Sequence, residues 1–279
     1  MSGLPRPKAQ GKRQGGGGEA LARSARARSM ANPLSDKSVL VIGAGGLGGP
    51  VLLALGAAGV GRIVLCDDDR VESSNLNRQP IFDEDDLGQR KVVAARRRLE
   101  RLDPRLRLEA LDQRFDAASG LALARSVDLL VDGSDNFATK FLANDVAIAA
   151  GRPLVHGGVL RYTAQLLTVL PGQTSCLRCL FEEPPPPGAV PTCATAGVLG
   201  GLAGLAGALM AEEVVRILSG RPGAYAGRML VFEGREARAR QVRIPRRTGC
   251  LGCEGRLPLL DAPLPVCAVR TGAGSGEPG

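Results

Sequence analysis

The sequence contains no tryptophan, and its only other aromatic residues are six phenylalanines and two tyrosines among 279 residues. Proteins that bind single-stranded nucleic acid usually stack the bases on aromatic side chains. The shortage of such side chains argues against a nucleic-acid platform. Histidine is equally scarce, since His156 in "PLVHGG" is the only one. A Ser-His-Asp triad is therefore a poor hypothesis, and we interpret His156 as a packing or hydrogen-bonding residue at a strand end.

The hydrophobic pattern of the sequence shows no secretory signal and no run that clearly predicts a membrane-spanning helix. The first 30 residues contain no apolar core of the kind that a signal peptide needs. One uncharged run of 18 residues, Ala194–Ala211, has marginal length for a membrane helix. It consists mainly of glycine and alanine, and the charged "EEVVRIL" follows it directly. We predict a close-packed buried helix there, no membrane association and a cytoplasmic protein.

Acidic residues are scarce only at the N-terminus. The whole chain has a formal net charge of +8, and residues 1–30 contain seven lysines or arginines but a single acid, Glu19. Most of the excess charge therefore belongs to this segment and says little about the folded surface. We interpret residues 1–34 as a flexible basic arm, with contact to nucleic acid or an acidic partner as the alternative.

Short apolar runs alternate with helical patterns between residues 37 and 158. Runs such as "KSVLVI" and "GRIVLCD" predict buried parallel strands, and "GPVLLALGAAG" and "QRKVVAARRRLERLDP" predict helices. The alternation predicts an α/β fold with a doubly wound, Rossmann-like sheet. After Gly158, "AQLLTVLP" and "GRMLVFEG" predict longer strands that flank the Gly/Ala-rich helix in a mixed-sheet extension. We expect one domain over residues 35–255 and a tail over residues 256–279.

The stretch "GAGGLGG" contains the pattern G-x-G-x-x-G at Gly43, Gly45 and Gly48. In a Rossmann first turn, such glycines let backbone N–H groups at a helix N-terminus approach a phosphate. Asp67 ends the next apolar run and fits the carboxylate that binds ribose hydroxyls. Taken alone, these residues support NAD, FAD and ATP about equally.

The following residues favour ATP. Arg78 in "SNLNRQ" and Lys91 in "GQRK" supply two cations that suit a triphosphate, whose charge must be neutralised during reaction. Asn75 could face the same crevice. Asp135 follows the run "VDLLV" and could hold Mg²⁺ through one carboxylate oxygen together with phosphate oxygens. The alternative for Asp135 and Asn136 is a helix N-cap.

Four of the seven cysteines form two C-x-x-C pairs, "CLRC" and "CLGC". Two such pairs predict a tetrahedral structural zinc site. Its ligands would be Cys176, Cys179, Cys250 and Cys253. Disulfides explain the pairs less well in a reducing cytosol.

The other three cysteines are Cys66, Cys193 and Cys267. Cys193 in "PTCATAGV" precedes the Gly/Ala-rich helix, where a thiolate would be nucleophilic, although an inert buried thiol is the alternative. We interpret Cys66 as a core residue and leave Cys267 without a role.

Seven stretches occur in a characteristic order: "VLVIGAGGLGG", "DDDRVESSNLNRQ", "GQRK", "GSDN", "CLRC", "TCATAGVLG" and "CLGC". Together they resemble the ThiF/MoeB/HesA family, the bacterial relatives of ubiquitin-activating enzymes, from Leu34 to Gly255 and most closely the MoeB type. The resemblance implies ATP- and Mg²⁺-dependent adenylation of the C-terminal glycine of a small ubiquitin-like sulfur-carrier protein. The resemblance implies that such a carrier ends in Gly-Gly and belongs to molybdopterin or thiamine biosynthesis, with cysteine and secondary-metabolite pathways as alternatives. The resemblance also implies a homodimer.

The resemblance also implies roles for individual residues. It places Gly46 against the nucleotide, Asp67 at the ribose, Asn75 and Arg78 at adenosine and phosphates, Lys91 at phosphate and Asp135 at Mg²⁺. The full implied nucleotide site is Gly43, Gly45, Gly46, Gly48, Asp67, Ser74, Asn75, Leu76, Asn77, Arg78, Lys91, Asp135 and Asn136. The implied catalytic residues are Arg78, Lys91, Asp135 and Cys193. Cys193 matches a cysteine that some members use to take the acyl group as a thioester and that others do not need.

The N-terminus departs from the family pattern. Members usually carry "R-x-x-R-Q" on a first helix, and its arginine enters the partner subunit's ATP site. Here the stretch reads "GKRQGGGGEALARSARARSM", so Arg23, Arg26 and Arg28 are only candidates for that role. Two alternatives to the adenylating enzyme therefore stay open, an NAD(P)-dependent oxidoreductase and a non-catalytic family member that acts as a scaffold.

Overall fold

A computed structural model describes residues 32–186, 189 and 196–261 of the chain. Within these residues, eight strands form one sheet. They are β1 Ser38–Ile42, β2 Arg62–Cys66, β3 Arg107–Leu111, β4 Leu129–Asp132, β5 Leu154–Leu160, β6 Thr163–Val169, β7 Arg228–Glu233 and β8 Arg238–Arg243. The helices are α1 Gly48–Ala58, α2 Lys91–Leu102, α3 Ala117–Arg125, α4 Phe137–Ala150, α5 Leu177–Leu180, α6 Gly200–Leu218 and α7 Pro258–Asp261.

The strand order is β3-β2-β1-β4-β5-β6-β7-β8. The first five strands in this order are parallel, and β6, β7 and β8 are joined in antiparallel pairs. The structure thus confirms the doubly wound sheet with a mixed extension. Strand β2 lies on one side of β1, and the chain later crosses over so that β4 lies on the other side of β1. An open α/β sheet forms a ligand crevice at such a switch point, beyond the carboxyl ends of its strands.

Helices cover both faces of the central parallel strands, and β1 and β4 are therefore buried on both sides. Val39 and Val41 of β1 pack in one core cluster with residues of α1, α2 and α6. Leu40 and Ile42 point to the opposite face and pack in a second cluster with residues of α4. This alternation follows from the two-residue period of a strand, and it explains why "VLVI" is continuously apolar.

Glycines mark the ends of helices α1 and α4. Gly59 ends α1 and Gly151 ends α4, and both adopt the left-handed conformation that favours glycine, with φ of 76° and 65°. The predicted helix over "GPVLLALGAA" therefore ends where its glycine stands.

The Gly/Ala-rich segment forms a helix with bounds different from those of the uncharged run. Helix α6 begins at Gly200 and continues through "EEVVRIL" to Leu218. Leu202, Ala206, Met210 and Val214 are buried at four-residue spacing, which is the pattern of a helix packed along one face. Across the described part of the chain, none of the helices combines the length and apolar character needed to cross a membrane.

Candidate nucleotide-binding site

A cavity of about 760 Å³ lies at the carboxyl ends of the parallel strands. The loop after β1, the residues after β2, the start of α4 and strands β5 and β6 all contribute to its wall. This volume suits a small-molecule ligand, and the position agrees with the crevice that the strand order predicts. The wall of this cavity therefore shows which of the predicted nucleotide-binding residues lie together.

The glycine loop lines this cavity through Gly43, Gly45 and Gly46. Gly43 has a φ of 88°, a conformation that side chains with a Cβ rarely adopt. Gly48 is not part of the cavity wall. A Cβ on Gly48 would lie 1.8 Å from the carbonyl oxygen of Gly43, so this glycine lets α1 pack directly against the loop. The third glycine of the motif thus positions the helix behind the cavity.

Asp67 connects the end of β2 to the glycine loop. Its Oδ2 accepts a hydrogen bond from the backbone N–H of Ala44 at 2.7 Å, and its Oδ1 accepts one from Asp69 at 2.8 Å. Burial raises the pKa of Asp67 above its ordinary value, although nearby Lys91 and the two N–H groups act in the opposite direction. Each carboxylate oxygen retains a second lone pair, so Asp67 could also accept hydrogen bonds from ribose hydroxyls.

Arg78 and Lys91 both line the cavity. Lys91 opens α2, is 4% exposed, and pairs through Nζ with Asp69 Oδ2 at 2.7 Å. Arg78 donates from Nη1 to the carbonyl oxygen of Ser74 at 2.9 Å and from Nη2 to Asn75 Oδ1 at 2.7 Å. The two predicted cations therefore lie in the same cavity as the glycine loop.

The rest of the predicted segment Ser74–Arg78 lies behind the cavity wall. Ser74, Asn75, Leu76 and Asn77 are not part of the lining. Ser74 and Asn75 hold the guanidinium of Arg78, and Leu76 packs against the core. Gln79, which the sequence interpretation omitted, is 4% exposed and lines the cavity.

The two residues after "VDGS" have different roles. Asp135 is exposed and lines the cavity. Asn136 is the N-cap of α4, because its Oδ1 accepts a hydrogen bond from the backbone N–H of Thr139 at 2.8 Å. The alternative of a helix N-cap is therefore confirmed for Asn136, while Asp135 remains a candidate for Mg²⁺.

A buried polar network beside the cavity was not predicted. Asp132, the last residue of β4, is fully buried, and its Oδ2 lies 2.9 Å from both Lys140 Nζ and His156 Nδ1. Its Oδ1 accepts hydrogen bonds from the backbone N–H of Ser134 at 3.0 Å and from the Ser134 hydroxyl at 2.5 Å. Lys140 also donates to the carbonyl oxygen of Gly157. This network joins β4, α4 and β5 beneath the cavity.

Replacing Asp132 with asparagine should lower the free energy of unfolding at pH 7 by about 3 kcal/mol, because it leaves a buried cation without its counter-ion. Burial raises the pKa of Asp132, but the ion pair with Lys140 and the hydrogen bonds from His156 and Ser134 outweigh it, so the pKa lies below its ordinary value of 3.8. The stabilisation from a lowered pKa is complete above pH 3.8 and is lost as the pH falls below it. Urea unfolding from pH 7 to pH 3 measures both effects.

The matched control is Asp36→Asn, since Asp36 is 73% exposed and its one ion-pair partner among the described residues is neighbouring Lys37. This variant should change the stability by less than about 0.5 kcal/mol. A difference between wild type and Asp132→Asn that stays constant down to pH 3 would contradict the role of the charged Asp132.

The two C-x-x-C pairs meet on the α4 face of the sheet, where Cys176 and Cys250 belong to the second core cluster. The Sγ atoms of Cys176, Cys179, Cys250 and Cys253 all lie within 4.8 Å of one another. Individual separations are 3.7 Å for Cys176–Cys250 and 3.4 Å for Cys179–Cys253. Four thiolates placed about 2.3 Å from a tetrahedral zinc ion would be about 3.8 Å apart. The four side chains therefore fit one zinc ion.

A buried ion pair fixes the first cysteine pair against the fold. Arg178, which stands between Cys176 and Cys179, donates from Nε to Asp145 Oδ1 at 2.8 Å and from Nη2 to Asp145 Oδ2 at 2.9 Å. Its guanidinium also lies 5.1 Å from the centre of the Phe141 ring. Helix α5 is thus anchored on α4 independently of any metal.

A protein-family model described as the ThiF family matches residues 22–252. The chain belongs to the ThiF family. The sulfur carrier protein adenylyltransferase of Thermus thermophilus is 44% identical over 225 residues, which are 79% of this chain and 83% of that protein. The SAMP-activating enzyme E1 of Haloferax volcanii is 42% identical over 72% of this chain and 74% of that protein.

Other similar proteins are longer than this chain or less similar to it in sequence. The adenylyltransferase and sulfurtransferase MOCS3 of Anopheles gambiae is 40% identical over 79% of this chain, which spans 50% of that protein's length. Among solved structures, E. coli MccB superposes with a TM-score of 0.71 at 22% identity, covering 80% of this chain and 68% of MccB. This likeness shows that the two proteins share a fold.

Several residues that the ThiF-family resemblance implies lie outside the described part of the chain. Cys193 and the arm residues Arg23, Arg26 and Arg28 are among them. Cys66, which was interpreted as a core residue, is buried at the end of β2, and burial together with nearby aspartates raises the pKa of its thiol to about 12. Cys66 is therefore held as a neutral thiol, which is unreactive.

Proposed function

We infer that this ThiF-family chain uses ATP to adenylate the C-terminal glycine of a small ubiquitin-like sulfur-carrier protein and releases pyrophosphate. The observation that carries this proposal is the meeting of the glycine loop, Asp67, Arg78 and Lys91 in one cavity. The names of the Thermus and Haloferax relatives support it. An NAD(P)-dependent oxidoreductase would use the glycines and Asp67 but would leave the two cations without a function.

The chemistry of the reaction matches these residues. A carboxylate oxygen of the carrier attacks the α-phosphorus of ATP, and the bond from this phosphorus to the oxygen shared with the β-phosphate breaks. Pyrophosphate leaves, and no proton has to be removed from the nucleophile. Catalysis then depends on orienting the two substrates and on stabilising the developing negative charge. We propose that Lys91 and Arg78 provide that stabilisation.

We further propose that Asp135 holds Mg²⁺. Its exposed carboxylate lies on the cavity wall, and Mg²⁺ is commonly bound by one or two carboxylates together with substrate phosphates. When bound there, the ion would neutralise part of the triphosphate charge. Asp135 itself would position the phosphate chain relative to Arg78.

We propose a structural role for zinc at the four cysteines. The site would use all four thiolates and leave no open position, and such closed sites stabilise proteins without taking part in catalysis. The metal would join helix α5 to residues 250–253. Retaining the cysteines in reduced form fits a cytoplasmic location.

The remaining parts of the proposal rest on the family resemblance. They are a homodimer in which an arginine of the basic arm completes the partner's site, and a thioester on Cys193 that forms after adenylation. A carrier of the molybdopterin or thiamine type fits the proposal.

Replacing Cys193 with serine should leave adenylation intact and block thioester formation.

Carrier-dependent exchange of labelled pyrophosphate into ATP tests the proposed function. A ubiquitin-like protein that ends in Gly-Gly should stimulate exchange by the wild-type chain, and Asp135→Ala should reduce it at least 100-fold. Glu100→Ala is the control, because Glu100 is an exposed acid on α2 outside the cavity. Binding of NADH without binding of ATP would favour the oxidoreductase. Binding of ATP without exchange would favour the scaffold.

A further inference from the structure

Two buried hydrogen-bonding atoms in the cavity have no partner among the described residues, Gln79 Oε1 and His156 Nε2. His156 is 6% exposed and lines the cavity from β5. An unpaired buried polar group costs free energy, so an atom of this kind on a cavity wall points to a ligand group. The proposed roles of the glycine loop, Asp67, Arg78, Lys91 and Asp135 in adenylation do not involve His156.

The neighbours of His156 determine what its free nitrogen can do. The Asp132 carboxylate lies 2.9 Å from Nδ1 and can only accept hydrogen bonds, so Nδ1 carries the hydrogen. Lys140 already supplies the positive charge that balances Asp132. With Nδ1 bonded to Asp132, Nε2 is the ring nitrogen that has no partner among the described residues, and as an acceptor it requires a hydrogen-bond donor.

The strand order separates His156 from the nucleotide residues. The glycine loop follows β1 and Asp67 follows β2, whereas His156 lies on β5, on the far side of β4. Neighbouring strands are about 4.8 Å apart, so His156 lies about 10 Å from the glycine loop and about 14 Å from the ribose position. The donor therefore belongs to the second substrate.

The wall beside His156 has room for an extended chain. Gly158 follows two residues later on β5 and pairs with Gln165 of β6, and both line the cavity. A Cβ on Gly158 would meet no atom within 4 Å, so the space above this glycine is open. A Gly-Gly segment has no side-chain donors, and its backbone N–H groups are the donors that it offers.

We propose that His156 Nε2 accepts a hydrogen bond from the backbone N–H of the carrier's terminal glycine and so directs the terminal carboxylate towards the α-phosphate. Asp132 acts through His156 as a positioning residue, since it sets the orientation and tautomer of the imidazole. This assignment rests on the proposed function and adds to it a residue that recognises the acyl substrate.

Two substitutions distinguish the role of Nδ1 of His156 from the role of Nε2. His156→Asn retains a donor towards Asp132 but removes the atom at the Nε2 position, and His156→Gln places an amide near that position. In pyrophosphate exchange with a Gly-Gly-ending carrier encoded in the same genome, His156→Asn should raise the KM for the carrier about tenfold, or about 1.4 kcal/mol. The KM for ATP should stay within about twofold, and His156→Gln should recover most of the loss.

A semisynthetic carrier provides a test that does not depend on the folding of a variant. An ester in place of the peptide bond between the two final glycines removes the N–H and retains the carboxylate. The ester should reduce kcat/KM about tenfold for the wild type and no more than about twofold for His156→Asn, which is the signature of a direct contact in a double-mutant cycle.

Three results would overturn the assignment: equal ester effects in both proteins, no ester effect in the wild type, or a change in the KM for ATP instead of the KM for the carrier. Absence of exchange by the wild-type chain with any Gly-Gly carrier would instead refute the proposed function. The two failures are thus distinguishable in one assay.

Discussion

Replacing Lys91 with alanine is expected to reduce carrier-dependent pyrophosphate exchange by about 10²- to 10³-fold, the usual cost of removing a group that stabilises transition-state charge. Lys91 is almost completely buried in the cavity wall, and its only ion-pair partner among the described residues is the exposed Asp69. Charge interactions are stronger in such a place than in water. Asp69 remains solvated after the substitution, so the fold should persist.

The control for Lys91→Ala lies on the same helix. Arg98 is exposed on α2 and does not line the cavity, so Arg98→Ala should exchange pyrophosphate at the wild-type rate. Because the phosphates gain charge as the reaction proceeds, the loss in Lys91→Ala should appear mainly in kcat. A loss smaller than about tenfold would show that Lys91 only pairs with Asp69 and takes no part in catalysis.

Most of the fold could be predicted from the sequence because the apolar runs and the helix-ending glycines agree with the burial of the elements that they form. Strand β1 is apolar on both faces and lies between two parallel strands, and Gly59 ends α1 as its position suggests. Strand β8 was not predicted, because all six of its residues are exposed at the sheet edge and its arginines show no apolar periodicity. Helix α3 was also missed, although Asp116 before it caps the helix by accepting from the N–H of Ser119.

The candidate site was predicted where residues belong to a recognisable local motif. The network of Asp132, Lys140 and His156 was missed because its members come from three elements and meet only in the folded chain. Asp135 was predicted to hold Mg²⁺ because it stands close to the end of an apolar run. Strand β4 itself ends three residues earlier, at Asp132. The eight-residue spacing from Asp132 to Lys140 gave no recognisable motif. His156 was interpreted as a packing or hydrogen-bonding residue, and it does form a hydrogen bond, but nothing in the sequence pointed to Asp132 as its partner.

Removal of zinc is expected to have the largest effect on stability. The purified chain should contain about one zinc ion, and Cys250→Ala should lose the metal and melt about 10 °C or more below the wild type. Cys250 is fully buried and lies 74 residues from Cys176, its neighbour in the cluster at 3.7 Å. A metal ion bound across this separation would fix residues 250–253 against α5. Binding free energy at a structural zinc site contributes directly to folding free energy.

The size of the expected shift follows from general values. A domain of this size loses about 2–4 °C of melting temperature for each kcal/mol, so the loss of several kcal/mol from the metal site corresponds to about 10–20 °C. Cys66→Ala is the matched control, because Cys66 is a buried cysteine outside the cluster. It should retain one zinc ion per chain even if packing at β2 is weakened. A chain purified under reducing conditions without metal, and melting no earlier after Cys250→Ala, would show that the four thiols are held together by packing alone.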